Sequence, residues 1–341
     1  MTSVLWYLHD HGRGHLERAR AVLPHVAANV VVAAGPGIAE RASDALQVDV
    51  VHLPTDVPER ATPTIGPWHH APASSTLRRR TCALAAAAER YDCVTAVVDV
   101  SMEVTVLARL LGLRTVAVRQ SGHRNDEVHR AGFASADVVW VPQHRSLEPL
   151  DEAIDDRWFF SGAFSRFDDV RCERFGRGGD ARSARRHVVI VVGTGGTDFD
   201  VARWRHADVP SGWQVTIAGT SECWTTGSVS SVGTIEPIHP LLNAADVVVT
   251  SAGWAAIADT VAAGGRLAIV PERRPFCEQG VRATALHAAG LAVALRRWPD
   301  PEQLGEVIAA AQALDPSRWR GVYDGRGAQR AARMIDRLHG T

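Results

Sequence analysis

Cysteine is scarce in this sequence. There are five in 341 residues, Cys82, Cys93, Cys172, Cys223 and Cys277, scattered and without a CxxC pair. Neither a disulfide framework nor a zinc knuckle is indicated, and a reducing cytoplasm fits. A charge excess is also missing. The formal net charge of -1 gives no electrostatic reason to expect nucleic acid as a partner. No apolar run approaches the roughly 18 residues that would span a bilayer. No cationic-then-apolar leader opens the chain. A cytoplasmic protein is therefore expected, with peripheral contact at the cytoplasmic face of the membrane left open. The glycine-rich stretch Gly193-Thr194-Gly195-Gly196-Thr197 is not followed by Gly-Lys-Ser/Thr, so it is not a Walker A loop.

What is present is ordinary globular composition, 46% apolar and 22% charged, at a length that suits two domains. Short valine-rich runs alternate with longer helical stretches. Strands are expected at Val4–Leu8, Val30–Ala34, Val48–Leu53, Val94–Val98, Thr115–Val118 and Val138–Val141. Helices are expected at Leu16–Ala28, Leu77–Arg90 and Met102–Leu111. The second half restarts the pattern with strands Val188–Val192, Gln214–Ala218, Val247–Thr250, Leu267–Val270 and Ala292–Leu295. Its helices fall at Ala255–Ala263, Gln279–Ala289 and Pro301–Ala313, and a last amphipathic helix at Arg326–Leu338. Strands apolar on both faces, alternating with helices, imply an α/β protein of two doubly wound parallel sheets facing across a cleft. A polar, arginine-rich linker over 166–186 separates a domain of residues 1–165 from one of residues 187–319. Residues 54–75 form a second, long unpatterned stretch holding His69 and His70.

Doubly wound sheets bind ligands at the carboxyl ends of their strands. In the second half, Gly193, Thr194, Gly195 and Gly196 offer backbone N–H groups to phosphate oxygens. Ser251, Ala252, Gly253 and Trp254 open a helix at the same edge, where the helix dipole favours an anion such as a diphosphate. Asp259, about two turns into that helix, either accepts from ribose hydroxyls or belongs to a solvated face. Glu278 and Gln279 lead into the next helix and suit sugar hydroxyls.

The stretch HPLLNAADVVVTSAGWAAIADTVAAGGRLAIVPERRPFCEQGVRATALHAAGLAVAL resembles the donor-binding domain of GT-B glycosyltransferases. It is most similar to the family of the peptidoglycan UDP-N-acetylglucosaminyltransferase that makes lipid II. The pattern runs from Ile235 to about Leu295: an acidic residue ending Ala-Ala-Asp, a strand, Ser-Ala-Gly, an acid six after the glycine, then Gly-Gly, a strand and proline. The resemblance implies a UDP-sugar donor, UDP over dTDP, with backbone at Ile235 facing uracil and Ser251 to Trp254 at the diphosphate. Asp259 stands where the family has a ribose-binding glutamate. Glu278 and Gln279 stand where two polar residues reach the sugar, and glutamate at 278 leaves the sugar's identity open. The N-terminal domain would bind the acceptor, and the last helix, about 320–341, would pack back on it. Gly12, Arg13, Gly14 and His15 match the family's glycine-rich turn ending in histidine. Residues 99–103 replace a second, glycine-rich turn that holds an acceptor diphosphate in the family, which argues against a lipid diphosphate acceptor of that type. Arg119 and Gln120 replace another acceptor-side motif. His69, His70 and Arg78–Arg80 border the acceptor site or belong to a solvated helix start.

Four readings compete for His11 to His15: metal ligation, a tight turn, a phosphate cradle, and an acceptor site with a catalytic or orienting histidine. The last is preferred. A hydroxyl nucleophile needs a base at neutral pH, and histidine titrates in the useful range. Asp99, ending a strand of the same sheet, would fix the ring and steady its cation, as in the His–Asp pairs of related enzymes. The competing reading makes Asp99 an N-cap. Asp198-Phe199-Asp200 is the one Asp-x-Asp. GT-B enzymes manage without metal, so no metal and no cofactor are expected beyond the UDP-sugar as co-substrate. The expected activity is inverting transfer from a UDP-sugar such as UDP-GlcNAc to an unidentified small-molecule, glycan or lipid-linked acceptor. Nucleotide-sugar 2-epimerase and non-catalytic nucleotide-sugar binding are the alternatives.

Overall fold

The computed structural model describes residues 1–10, 14–57, 68, 71, 73–149, 154–170, 186–193 and 195–341. The chain divides into two compact units. The first comprises Met1–His144, Leu150–Gly162 and Arg326–Thr341; the second comprises Arg145–Pro149 and Ala163–Gly325.

The first unit opens β1 (Ser3–Leu8), α1 (Gly14–Val22), β2 (Asn29–Ala34), α2 (Ala39–Ala45) and β3 (Asp49–His52). It continues α3 (Ser75–Arg90), β4 (Cys93–Asp99), α4 (Met102–Leu110), β5 (Arg114–Val118), α5 (Glu127–Ser135), β6 (Val138–Val141) and β7 (Trp158–Phe160). Its sheet is parallel with strand order β3-β2-β1-β4-β5-β6-β7. The chain reverses direction of growth between β1 and β4, so the crevice for a ligand lies at the carboxyl ends of those two strands. Every residue of β1 is buried, as the continuous apolar run requires of a central parallel strand.

The second unit holds β8 (Arg186–Val191), β9 (Trp213–Ala218), β10 (Cys223–Thr226), β11 (Val229–Val232), α6 (His239–Ala244) and β12 (Val247–Ser251). It then adds α7 (Trp254–Ala262), β13 (Arg266–Val270), α8 (Glu278–Ala288), β14 (Val293–Ala294) and α9 (Leu304–Gln312). The strand order is β10-β11-β9-β8-β12-β13-β14, parallel except for the β10–β11 hairpin. Here the reversal falls between β8 and β12. Val188, Val247 and Val249 of these two strands are wholly buried and share the main core with Trp204, Trp213 and Trp298.

Local chemistry accounts for where elements stop. The helix expected over Leu16–Ala28 ends at Val22, because Pro24 enters a 3₁₀ turn, Leu23–His25. The helix expected from Pro301 begins as a 3₁₀ turn with an Asp300/Gln303 capping box, and α9 follows. The sequence pattern passes over α2, α5, α6, β7 and the β10–β11 hairpin. These are short, and of the three strands concerned β7 and β10 lie at sheet edges, where apolar runs are weak. Residues 163–170 pack with the second unit. Asp168 accepts from the Tyr323 hydroxyl and from the Ser165 N–H. Residues 171–185 of the expected linker lie outside the described residues. Among the described residues, no helix is long and apolar enough to cross a membrane.

The last helix, α10 (Gly327–His339), belongs to the first unit and contacts α1, β4 and β5. Its Ala331, Ala332 and Ile335 are fully buried. Asp336 accepts from the N–H groups of Ala27 and Ala28, just past the first helix. Truncating Ile335→Ala removes buried methylenes from this seam. It is expected to cost about 2–4 kcal/mol in urea unfolding followed by tryptophan fluorescence. A change below about 0.5 kcal/mol, the size of a surface effect, would show that α10 does not hold the unit together.

Candidate functional site

In the first unit the chemistry gathers at the β1/β4 reversal. Asp99 is the last residue of β4, the central strand beside β1, and its side chain is fully buried. A buried carboxylate needs a fixed cation. Arg18 supplies it: Nη1 donates to Oδ1 at 2.5 Å and to Oδ2 at 2.6 Å. Arg18 lies three residues after His15, on the buried face of α1. His15 is itself 7% exposed, with Nδ1 3.1 Å from Asp99 Oδ1. That contact is an ion-pair distance without hydrogen-bond alignment, and among the described residues Nδ1 has no hydrogen-bond partner. The His9 ring stands 5.7 Å from the His15 ring. Burial alone would raise the Asp99 carboxyl; the positive charge of Arg18 and the His15 ring outweigh it and hold it down at about 2.

The turn after Asp99 is strained. Val100 adopts φ 63°, a left-handed conformation disfavoured for any β-branched residue. The N-cap of α4 is Ser101, so the N-cap reading of Asp99 does not hold. Asp99 is instead committed to Arg18.

Other acceptor-side expectations meet different outcomes. Gly14 opens α1 with open space where a Cβ would be. Gly12, Arg13, His69 and His70 lie outside the described residues. Arg119, expected toward the acceptor, is 1% exposed and donates to the carbonyls of Gln120 and Gly122 in its own loop. The Gln120 carbonyl also accepts from Arg124 Nε. Arg119 and Arg124 thus build the loop after β5. Arg80 is buried and donates to the Tyr7 hydroxyl and the Pro54 carbonyl, whereas Arg78 and Arg79 are exposed.

In the second unit, three turns converge at the β8/β12 reversal. A Cβ built on Gly193 would lie 3.4 Å from Ser251 Oγ. One on Gly253 would lie 3.5 Å from the same Oγ and 4.0 Å from Gln279 Nε2. Ser251 therefore sits between two glycines, beside the glutamine of the third turn. Arg274 bridges back: Nη2 donates to the Gly196 carbonyl at 2.8 Å and to Glu272 Oε2 at 2.9 Å. Glu272 also accepts from Trp298 Nε1, and its N–H donates to Gln279 Oε1. Arg282 donates to the Ala252 carbonyl and lies over the Trp254 ring. Gly219, at φ 93°, passes so close to the Val192 carbonyl that a Cβ would meet its oxygen at 2.1 Å. Only glycine fits there. Thr194 lies outside the described residues.

Asp259 is buried on α7, and both its oxygens are engaged. Oδ1 accepts from Ser165 Oγ at 2.6 Å and Oδ2 from Arg166 Nε at 3.2 Å. A ribose hydroxyl would have to share them. Arg166 also pairs with Glu236, the neighbour of Ile235, at 2.8 Å. Glu278 opens α8 and pairs with Arg282 at 3.5 Å. Asp200 caps a 3₁₀ turn through the Ala202 N–H. Among the described residues, no group of three or more His, Cys, Asp or Glu is placed to hold a metal ion.

Sequence reading missed Arg18, although its helical spacing from His15 was visible. It also missed Ser165 and Arg166, which meet Asp259 across more than 90 residues and leave no local signal.

Two Rossmann-like units with this strand order define the GT-B fold. No family model and no curated protein matches the chain. Solved structures do. The glycotransferase of kitacinnamycin is 17% identical, covering 99% of each chain with a TM-score of 0.70. MurG of Acinetobacter baumannii is 14% identical, covering 99% of this chain and 100% of its own, with a TM-score of 0.68. The spinosyn rhamnosyltransferase SpnG, complexed with thymidine diphosphate, is 18% identical, covering 100% and 96%, with a TM-score of 0.61. At identities this low, the likeness shows the shared fold alone.

The Asp99 carboxyl predicts a pH dependence of stability. Its folded value, about 2, lies below the ordinary 3.8. Its contribution is therefore complete above pH 4 and is lost as pH falls toward 2. Asp99→Asn leaves Arg18 buried without its counter-charge. It is expected to cost about 3 kcal/mol at pH 7 and progressively less below pH 4, measured by urea unfolding across pH. A deficit that stays constant down to pH 2 would refute the ion-pair account.

Proposed function

We propose that the protein is an inverting glycosyltransferase that moves a sugar from a nucleoside diphosphate sugar, in the first place a UDP-sugar, to a hydroxyl of its acceptor. The observation that carries this reading is the meeting of His15 and Asp99, 84 positions apart, at 3.1 Å at the strand reversal of a GT-B unit. In the second unit, the glycine-turn N–H groups and the N-terminus of α7 suit a diphosphate and support this reading.

In this reading Gly193, Gly195, Gly196 and Ser251–Trp254 hold the diphosphate. The chain at Ile235 faces the base, Asp259 lies on the ribose side, and Glu278 and Gln279 meet the sugar. Gly12, Arg13, Gly14 and Gln120 border the acceptor. The acceptor oxygen attacks the anomeric carbon from the face opposite the diphosphate. One C–O bond forms and the sugar–diphosphate bond breaks, its electron pair leaving with the nucleotide. The hydroxyl proton passes to His15 Nε2 and then to solvent. Asp99 steadies the imidazolium formed in that step. The single displacement inverts the anomeric centre.

Incubation with UDP-GlcNAc, UDP-glucose and UDP-galactose tests the donor assignment through slow release of UDP. Millimolar UDP should also raise the melting temperature. Isomerised sugar nucleotide would favour the epimerase alternative, and binding without turnover on a broad acceptor panel would favour a sensor. Absence of any binding would remove the donor site.

His15→Ala is expected to lower turnover on the order of 10²–10⁴-fold, the usual weight of general-base catalysis. Nucleotide affinity, by calorimetry, should change less than about twofold, since the variant lies in the other unit. Equal turnover in His15→Ala would end its role as base.

A further inference from the structure

We propose that Arg18 is a positioning residue for His15. By holding both oxygens of Asp99 it stops that carboxylate from clamping the ring, and it disfavours a positive charge there. The proposal rests on the reading of His15 as the base and adds a third member to the pair.

The geometry is specific. A carboxylate that anchors a histidine in the tautomer needed for base catalysis accepts an in-line hydrogen bond from Nδ1–H. Asp99 Oδ1 is close enough to His15 Nδ1, at 3.1 Å, but not aligned with it. The same oxygen already takes the guanidinium at 2.5 Å, and Oδ2 takes it at 2.6 Å. These are short charge-assisted contacts, and arginine does not give up its proton. Arg18 and His15 are both at least nine-tenths buried, and Asp99 is wholly so. With His15 neutral, the three groups sum to zero charge. With His15 protonated they carry +1 in a poorly hydrated place, which is unfavourable. An isolated His–Asp pair has the opposite bias, since protonation takes it from −1 to zero. Arg18 thus reverses the electrostatic bias of the pair and keeps the ring able to accept a proton.

Among the described residues, the other titratable neighbours include His9, whose ring is 5.7 Å away, Asp10 on the same turn and Glu17 on the same helix. They are common to every variant below and cancel in the differences.

The test is titration of the His15 ring by ¹⁵N-imidazole NMR in the full chain, assigned by difference from His15→Gln. Arg18→Gln should raise the midpoint by at least about half a pH unit, a roughly threefold gain in proton affinity. Arg18→Lys, which keeps the charge, should return most of the wild-type value. Should Arg18→Gln fail to fold, the comparison of Asp99→Asn with Asp99→Asn/Arg18→Gln carries the test. The single variant should lower the midpoint, and the double variant should restore it toward wild type. An unshifted midpoint in folded Arg18→Gln, or identical midpoints in the last two variants, would overturn the proposal. The expected shifts in a protein that shows no donor turnover would support Arg18's role while retiring the transferase reading.

Discussion

A carboxylate wholly removed from water must be matched by a fixed cation, and Asp99 meets that demand at the centre of the first unit. The requirement reaches well beyond the pair. It fixes the rotation of α1, because Arg18 has to point at the end of β4. That rotation turns His15, one helical turn earlier, toward the same carboxylate. It also fixes the backbone after β4, where Val100 takes a left-handed conformation suited to glycine. Strain of this kind persists where its surroundings over-determine it, and here the buried ion pair and the start of α4 do so.

The second unit solves a different problem with the same materials. Its strand-reversal edge is made of backbone turns that have to be kept in place. Side chains from the next turns perform the holding. Arg274 ties the glycine turn to Glu272, Gln279 ties Glu272 to α8, and Arg282 ties α8 to the turn before α7. Ser165 and Arg166 pin the chain leaving Gly162 onto Asp259. The turns are thereby tied to one another by side chains.

Arginine carries nearly all of these ties. The 37 basic residues include no lysine, and Arg18, Arg80, Arg119, Arg124 and Arg282 are all buried. A guanidinium is planar, weakly hydrated and able to donate in several directions at once, so it can be buried against carbonyls where an ammonium would lose more solvation. Arg119 illustrates the point. At 1% exposure it donates to the carbonyls of Gln120 and Gly122 in its own loop.

The alternation of valine-rich runs with helical stretches was enough to determine two doubly wound sheets, because a parallel strand buried on both faces must be apolar throughout. Glycine placement marked most turns, whereas Pro24, where α1 gives way to a 3₁₀ turn, was read as lying inside a helix over Leu16–Ala28. His15 and Asp99 were legible as candidates because one follows a strand and the other ends one, at the edge where such sheets bind ligands. The partners of those residues were not legible. Arg18 could have been drawn from helical spacing, but that it would hold both oxygens of Asp99 depends on how α1 is turned against β4. Ser165 and Arg166 reach Asp259 only after the chain has folded back over more than 90 residues. Hydrophobic periodicity is a local property, and the sequence carries it openly. The pairing of buried charges is set by which surfaces meet, and only the tertiary structure decides that.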